Sequence, residues 1–220
     1  MVAKAKSRKL TENDLITMYM DYVLEHETKP KSVYRFCKIN TIAEAEFYGI
    51  FGSLESIPKR IWNKFYENTE DLLNKNKEFE GFSNKDKLLT FLYSFFELLT
   101  LNRSYVLFAL QQEKNPLKNL EQLKGLRKRI KNFVTGLIVE ANEDKPLKIT
   151  KHNPNLFSEG AWLQFLFLLK FWKEDDSKGF EKTDMAIEKS VNTIFDVFDN
   201  TPLENLIDFG KFLYKETFVK

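Results

Sequence analysis

Scarcity is the first guide to this chain. Its 220 residues hold one cysteine, two histidines, six prolines and eight glycines. A single cysteine excludes an internal disulfide framework and suits a reducing cytoplasm, the expected location. His26 and His152 lie far apart in sequence and neither has metal-ligand spacing, so no metal site is expected. There is no glycine-rich phosphate loop and no internal repeat. The longest apolar stretch, Ala161 to Leu169, contains Gln164 and is far too short to span a bilayer. Charge of one sign is also lacking: 34 basic and 32 acidic residues leave a net charge of +2. That balance does not argue nucleic-acid binding by itself. The N-terminal Met1 to Lys9 carries charge without an apolar core, so it is not read as a signal peptide.

What is plentiful is phenylalanine, with 21 residues, in a chain that is 43% hydrophobic and 30% charged. Many rings with few breakers favour long packed helices in a soluble globular protein. The length allows one domain or two small ones with ample core.

The periodicity is helical throughout, and no window alternates with period two, so an all-α fold is expected. Leu10 to His26 opens with Thr11 and Asp14 at capping spacing, followed by Leu15, Met18, Tyr19, Tyr22 and Val23. Ser32 caps a short helix, Val33 to Lys38. Thr41-Ile-Ala-Glu44 has capping-box spacing and opens a third helix to about Ile50. Gly52-Ser53 breaks the chain before a fourth helix whose apolar stripe is Leu54, Ile57, Ile61, Trp62, Phe65, Leu72 and Leu73. The polar segment Asn74 to Asn84 reads as a junction. A helix then runs from Lys85 to about Leu101, with a continuation to Gln112 left open. Pro116 suits a helix first turn, and Asn142 to Pro154 reads as a polar loop. Phe157 to Trp172 is greasy nearly all round, placing it centrally or at an interface. Ile187, Val191, Ile194 and Phe198 mark another helix, and Leu203 to Tyr214 a last one after Thr201-Pro202.

The run from Ser32 to Ile57 is the most specific feature. Its spacing resembles the N-terminal helix-turn-helix of TetR-family regulators over about residues 10 to 66. Ser32 opens the second helix, Phe36 and Cys37 face the core, and Ile42 follows the turn. Phe47, Tyr48 and Phe51 end the recognition helix, and Gly52-Ser53 precede the fourth. Four positions depart from the pattern. Thr41 stands where the turn usually has glycine, Glu44 and Glu46 acidify the recognition helix, and Leu54 replaces a phosphate-meeting lysine. The resemblance implies a three-helix domain at residues 1–52, a linking helix and junction at 53–82, and a helical ligand-binding and dimerisation bundle at 83–220. It implies about nine helices in total.

A recognition helix reads base edges while its neighbours hold phosphates. The residues assigned to DNA are Lys31, Arg35, Lys38, Thr41, Glu44, Glu46 and Tyr48. The arm of Lys4, Lys6, Arg8 and Lys9 adds positive charge. Glu44 also has a plain structural reading as the capping partner of Thr41. The resemblance further implies a cavity for an apolar small-molecule effector, with Phe91, Phe95, Phe96, Phe108, Phe133, Trp162, Phe165 and Phe167 as its lining. An aromatic stripe at helical spacing is equally the mark of ordinary core. Catalysis finds no support. Cys37 reads as inert core, Glu174-Asp175-Asp176 as a solvent-facing loop, and Lys124 to Lys131 as a hydrophilic helix face. No cofactor is implied.

Three readings of function stay open. One is a ligand-responsive, cytoplasmic transcriptional regulator that binds operator double-stranded DNA as a homodimer. Another is a TetR-fold accessory protein that binds a lipid or other apolar molecule and no DNA. A plain helical interaction module is a third.

Overall fold

The computed structural model describes residues 9–112, 116–143, 152–200 and 212. In chain order the helices are α1 (Glu12–His26), α2 (Val33–Ile39), α3 (Glu44–Tyr48), α4 (Ser56–Lys75), α5 (Asn84–Leu101), α6 (Arg103–Leu110), the single-turn α7 (Pro116–Asn119), α8 (Lys124–Glu143), α9 (Pro154–Glu174) and α10 (Glu181–Asn200). Single 3-10 turns follow α4, α7 and α9. There is no strand among the described residues, so the fold is an all-α bundle. No helix among them is long and apolar enough to cross a membrane. The arm residues Lys4, Lys6 and Arg8 lie outside the described residues, as does the expected last helix apart from Phe212.

Local chemistry explains most boundaries. Thr11 Oγ1 accepts from Asp14 N at 3.2 Å while Thr11 N donates to the Asp14 carboxylate at 2.9 Å, a full capping box at the start of α1. The helix expected from Lys85 to about Leu101 ends there, and the continuation left open toward Gln112 is a separate helix after a break at Asn102, whose amide donates back to Leu98 O at 2.8 Å. The loop expected over Asn142 to Pro154 is shorter at both ends. α8 runs to Glu143, and Pro154 is the first residue of α9, where its missing N–H costs nothing. Asn153 Oδ1 caps α9 from Asn155 N at 3.0 Å. Asn142 makes a reciprocal pair with the His152 backbone, at 2.8 and 2.9 Å.

α4 is the spine. Its buried face of Ile57, Ile61, Trp62, Phe65, Tyr66, Thr69 and Leu73 packs against α1, α5 and α8, while Leu72 is exposed. The opposite edge carries a charge lattice. Arg60 donates to both carboxylate oxygens of Glu67 at 2.8 and 2.9 Å and to Glu12 of α1 at 2.9 Å. Arg129 of α8 reaches Glu67 at 2.9 Å. Three helices are thereby joined through one guanidinium and one carboxylate. The α8 cations are therefore not merely a solvated face, since Arg127 and Lys131 also grip Glu159 of α9.

The acidic cluster needs a larger correction. Asp175 is buried, not solvent-facing. One of its oxygens accepts from Ser177 N and Oγ at 2.9 and 2.7 Å, and the other from Thr183 N and Oγ1 at 2.9 and 2.6 Å. It thus satisfies the first turn of α10, an end that would otherwise leave orphan donors. Arg103 closes the facing end of α9. It donates to the carbonyls of Trp172, Lys173 and Asp175 and lies between the Trp172 and Phe180 rings. Burial opposes the charge on Asp175, but the donors from Ser177 and Thr183 prevail and hold its pKa at about 2.

A depressed carboxylate contributes stability above its unfolded pKa, and that contribution is lost as pH falls through the folded value. Asp175→Ala should therefore cost about 2–3 kcal/mol near neutrality, because it leaves buried donors unmade. The gap to the wild type should narrow as pH falls from about 5 toward about 2. Urea unfolding across that range checks both statements.

Candidate functional site

α2 and α3 form a small crossed pair on α1. Ser32 Oγ accepts from Arg35 N at 3.2 Å and opens α2. On the inner side Phe36 and Cys37 are buried, with Tyr19 and Tyr22 set edge-on against Phe36. Phe47 of α3 meets Phe36 edge-on with ring centres 6.0 Å apart. Aromatic contacts of this kind fix one helix against another at low entropy cost. Burial first, and then the carboxylates of Glu44 and Glu46, push the Cys37 thiol pKa up. It is a buried small residue in an environment that opposes a thiolate.

The turn between them is left-handed. Asn40 closes α2, and Thr41 then adopts φ 56°. This lets Ile42 N donate to Cys37 O at 3.0 Å and turns the chain into α3. A β-branched residue in this region costs about 1–2 kcal/mol. The geometry that glycine would supply freely is thus held by Thr41 under strain. Because Thr41 is used in the turn, α3 begins two residues later than the sequence spacing indicates. Its first turn is closed by Glu46, whose carboxylate accepts from Ala43 N at 3.0 Å. Glu46, rather than Glu44, is therefore the capping carboxylate. The break after α3 is also longer than expected, and α4 starts at Ser56. Leu54 packs partly buried against the core.

Lys31, Arg35, Lys38, Thr41, Glu44, Glu46 and Tyr48 are all exposed. Tyr34 and Ile39 join them as large exposed residues that the sequence reading did not single out. The signal for Tyr34 was its i,i+4 spacing to Lys38, whose ammonium sits 5.9 Å from the ring centre.

The interior rings form a continuous column. Tyr66, Phe91, Phe95, Phe165, Phe96 and Trp172 touch in succession with centres 5.4–6.4 Å apart, and Phe133 meets Phe91 at 4.8 Å. Trp162 stacks on Phe165 at 5.3 Å. Phe167 faces outward from α9 and is 44% exposed. Two openings flank the column. One, of about 140 Å³, lies among α5, α8, α9 and α10 and is walled by Leu88, Val134, Ile138, Phe157 and Phe195. The other, of about 320 Å³, lies where α1, α4 and α6 meet, and Phe108 is on its wall. Among the described residues no three His, Cys, Asp or Glu side chains gather to hold a metal ion.

Comparison with known families adds one finding. Residues 87–213 match the family model described as "Tetracyclin repressor-like, C-terminal domain". No curated protein and no solved structure matches the chain.

The strain at Thr41 is testable. Thr41→Gly removes it and adds back some unfolded-state entropy, so we expect a gain of up to about 1 kcal/mol in urea unfolding. A loss of stability would mean that the Thr41 side chain makes a contact worth more than the strain.

Proposed function

The chain belongs to the TetR-like family, its matched residues covering more than half of its length, and on that premise we propose that it is a ligand-responsive transcriptional regulator binding operator DNA as a homodimer. In this reading residues 1–52 meet DNA, 53–82 link, and 83–220 bind ligand and dimerise. The observation that carries it is the strained turn. Thr41 at φ 56° keeps α3 crossed on α2, with Arg35, Lys38 and Tyr48 all facing solvent. Backbone strain that persists is held by its surroundings and points to a geometry under functional demand.

In a dimer the two α3 helices would sit about one DNA turn apart, roughly 34 Å. Arg35, Lys38 and Lys31 would neutralise phosphates and Tyr48 would donate to one. Glu44, not used for capping, would accept from a cytosine amino group. Phe167 on α9, exposed with half-buried Leu163 and Phe171 on the same helix, and exposed Met185 on α10 support the dimer face. Effector binding in the bundle would shift the spacing of the recognition helices and so lower affinity. The 140 Å³ apolar opening among α5, α8, α9 and α10 would hold that apolar molecule, and none of the rings read from the sequence as its lining is on its wall. No chemical step is involved, and the reading places the protein in the cytoplasm.

The second reading, a lipid-binding accessory factor without DNA, is favoured by one specific observation. Two carboxylates, Glu44 and Glu46, stand exposed in the first turn of α3, where a phosphate backbone would repel them.

Fluorescence anisotropy on a mixed-sequence duplex separates the two. The DNA reading expects binding at low salt. Arg35→Ala with Lys38→Ala should lower the slope of log affinity against log salt by about 2, one for each phosphate contact. No binding at low salt, together with a lipid recovered by organic extraction, would favour the accessory factor. For the dimer, Phe167→Glu is expected to give a monomer in analytical ultracentrifugation, and an unchanged dimer would move the interface elsewhere.

A further inference from the structure

We infer that the cleft where α1, α4 and α6 meet is a binding site for a compact amphiphilic organic acid. It is separate from the 140 Å³ opening proposed above for the effector, though Phe108 of the expected effector lining is on its wall, and it stands whether or not the protein binds DNA.

The cleft holds about 320 Å³, at the small end of ligand sites. Its inner wall is Tyr19 from α1, Leu54 and Pro58 from the approach and first turn of α4, and Tyr105, Phe108 and Ala109 from α6. The decisive group is the Tyr105 hydroxyl. Tyr105 is 1% exposed, and its oxygen has no hydrogen-bond partner among the described residues. A buried hydroxyl left unmade costs roughly 1–3 kcal/mol, so such a group is uncommon and calls for an account.

The neighbouring polar side chain is already occupied. Gln122, also on the wall, accepts from Trp62 Nε1 at 3.0 Å through its oxygen. Its amide nitrogen donates to Ala109 O at 2.8 Å and Asn119 O at 2.9 Å. Tyr105, a residue of the cleft wall, thus carries a donor without a partner among the described residues. Burial pushes both its pKa and that of Tyr19 upward, so both remain O–H donors at any ordinary pH. What the interior lacks is an acceptor.

The rim specifies the charge. Lys29, Lys59 and Lys118 line the cleft with Glu55 and Glu121, an excess of one positive charge. Glu55 is held low first by its own backbone and by Ser53, with Lys29 and Lys59 assisting, so it is already accommodated. Apolar walls, an unpartnered hydroxyl donor in the wall and a rim with one excess positive charge suit a carboxylate on a small apolar body. A neutral alcohol would gain less. Because the walls come from α1 on one side and α6 on the other, an occupant bears directly on how the α1–α3 unit sits on the bundle.

The test is isothermal titration calorimetry of the full chain with octanoate and cinnamate, and with octanol and cinnamyl alcohol as uncharged matches. Both acids are expected to bind, at least about tenfold tighter than their alcohols. Tyr105→Phe should weaken the acids about tenfold, as a lost hydrogen bond to a charged group does. The same change should not lower the unfolding midpoint of the free protein, since it removes a hydroxyl that has no partner. Lys59→Gln, at an exposed position, should weaken the acids and leave the alcohols unchanged. Failure of both acids to bind would overturn the inference. So would alcohols binding as tightly as acids, or Tyr105→Phe binding like the wild type.

Discussion

The Arg60 guanidinium is the joint on which this molecule turns. It sits on α4, grips Glu67 on the same helix with two bonds, and reaches across to Glu12 on α1. Arg129 of α8 completes the lattice by donating to the same Glu67. The hydrogen bonds from Arg60 are the leading reason both carboxylates ionise below their ordinary range, with burial opposing. Exposed pairs of this kind are individually weak. Here the groups are partly buried, share partners and span helices, so they set orientation. The α1–α3 unit is thereby referenced to the bundle through α1 and α4. Anything that rotates α1 against α4 must work against this lattice.

The rest follows from that reference. α4 presents Trp62, Phe65 and Tyr66 inward, and Tyr66 begins the aromatic column that runs through Phe91 and Phe95 to Phe165 and Trp172. The column fixes α5, α8 and α9 in one packed layer. At its far end Arg103 and Asp175 close the facing termini of α9 and α10. The molecule is therefore ordered from the Thr41 turn at one end to the Asp175 cap at the other. The two openings lie beside this column.

The helices were legible in the sequence because apolar spacing and caps agree along it. Thr11-Asp14 and Ser32 are caps that the structure uses as read. The all-α fold and the family were visible from Phe36, Phe47, Tyr48 and Phe51, and the family match covers the bundle that follows. What sequence reasoning missed were long-range polar partners. Asp175 looked solvent-facing because nothing near it in sequence indicates that Thr183 folds back onto it. Glu44 looked like a cap because a capping box can be recognised only by spacing, whereas the left-handed Thr41 shifts the helix start. The greasy length of α9 could not reveal which ring points outward, and Phe167 does. The Tyr105 hydroxyl is invisible in sequence, since its lack of a partner is a fact of three dimensions.

The central claim is that α3, held across α2 by a strained turn, still reads DNA. The most direct measurement is selection of bound fragments from the source genome by the purified protein at low and raised salt. The account predicts enrichment of one palindromic site, with half-sites about one helical turn apart and binding that falls steeply with salt. A folded, dimeric protein that enriches no fragment at low salt would contradict it, and would mark Glu44, Glu46 and Leu54 as signs of a lost function.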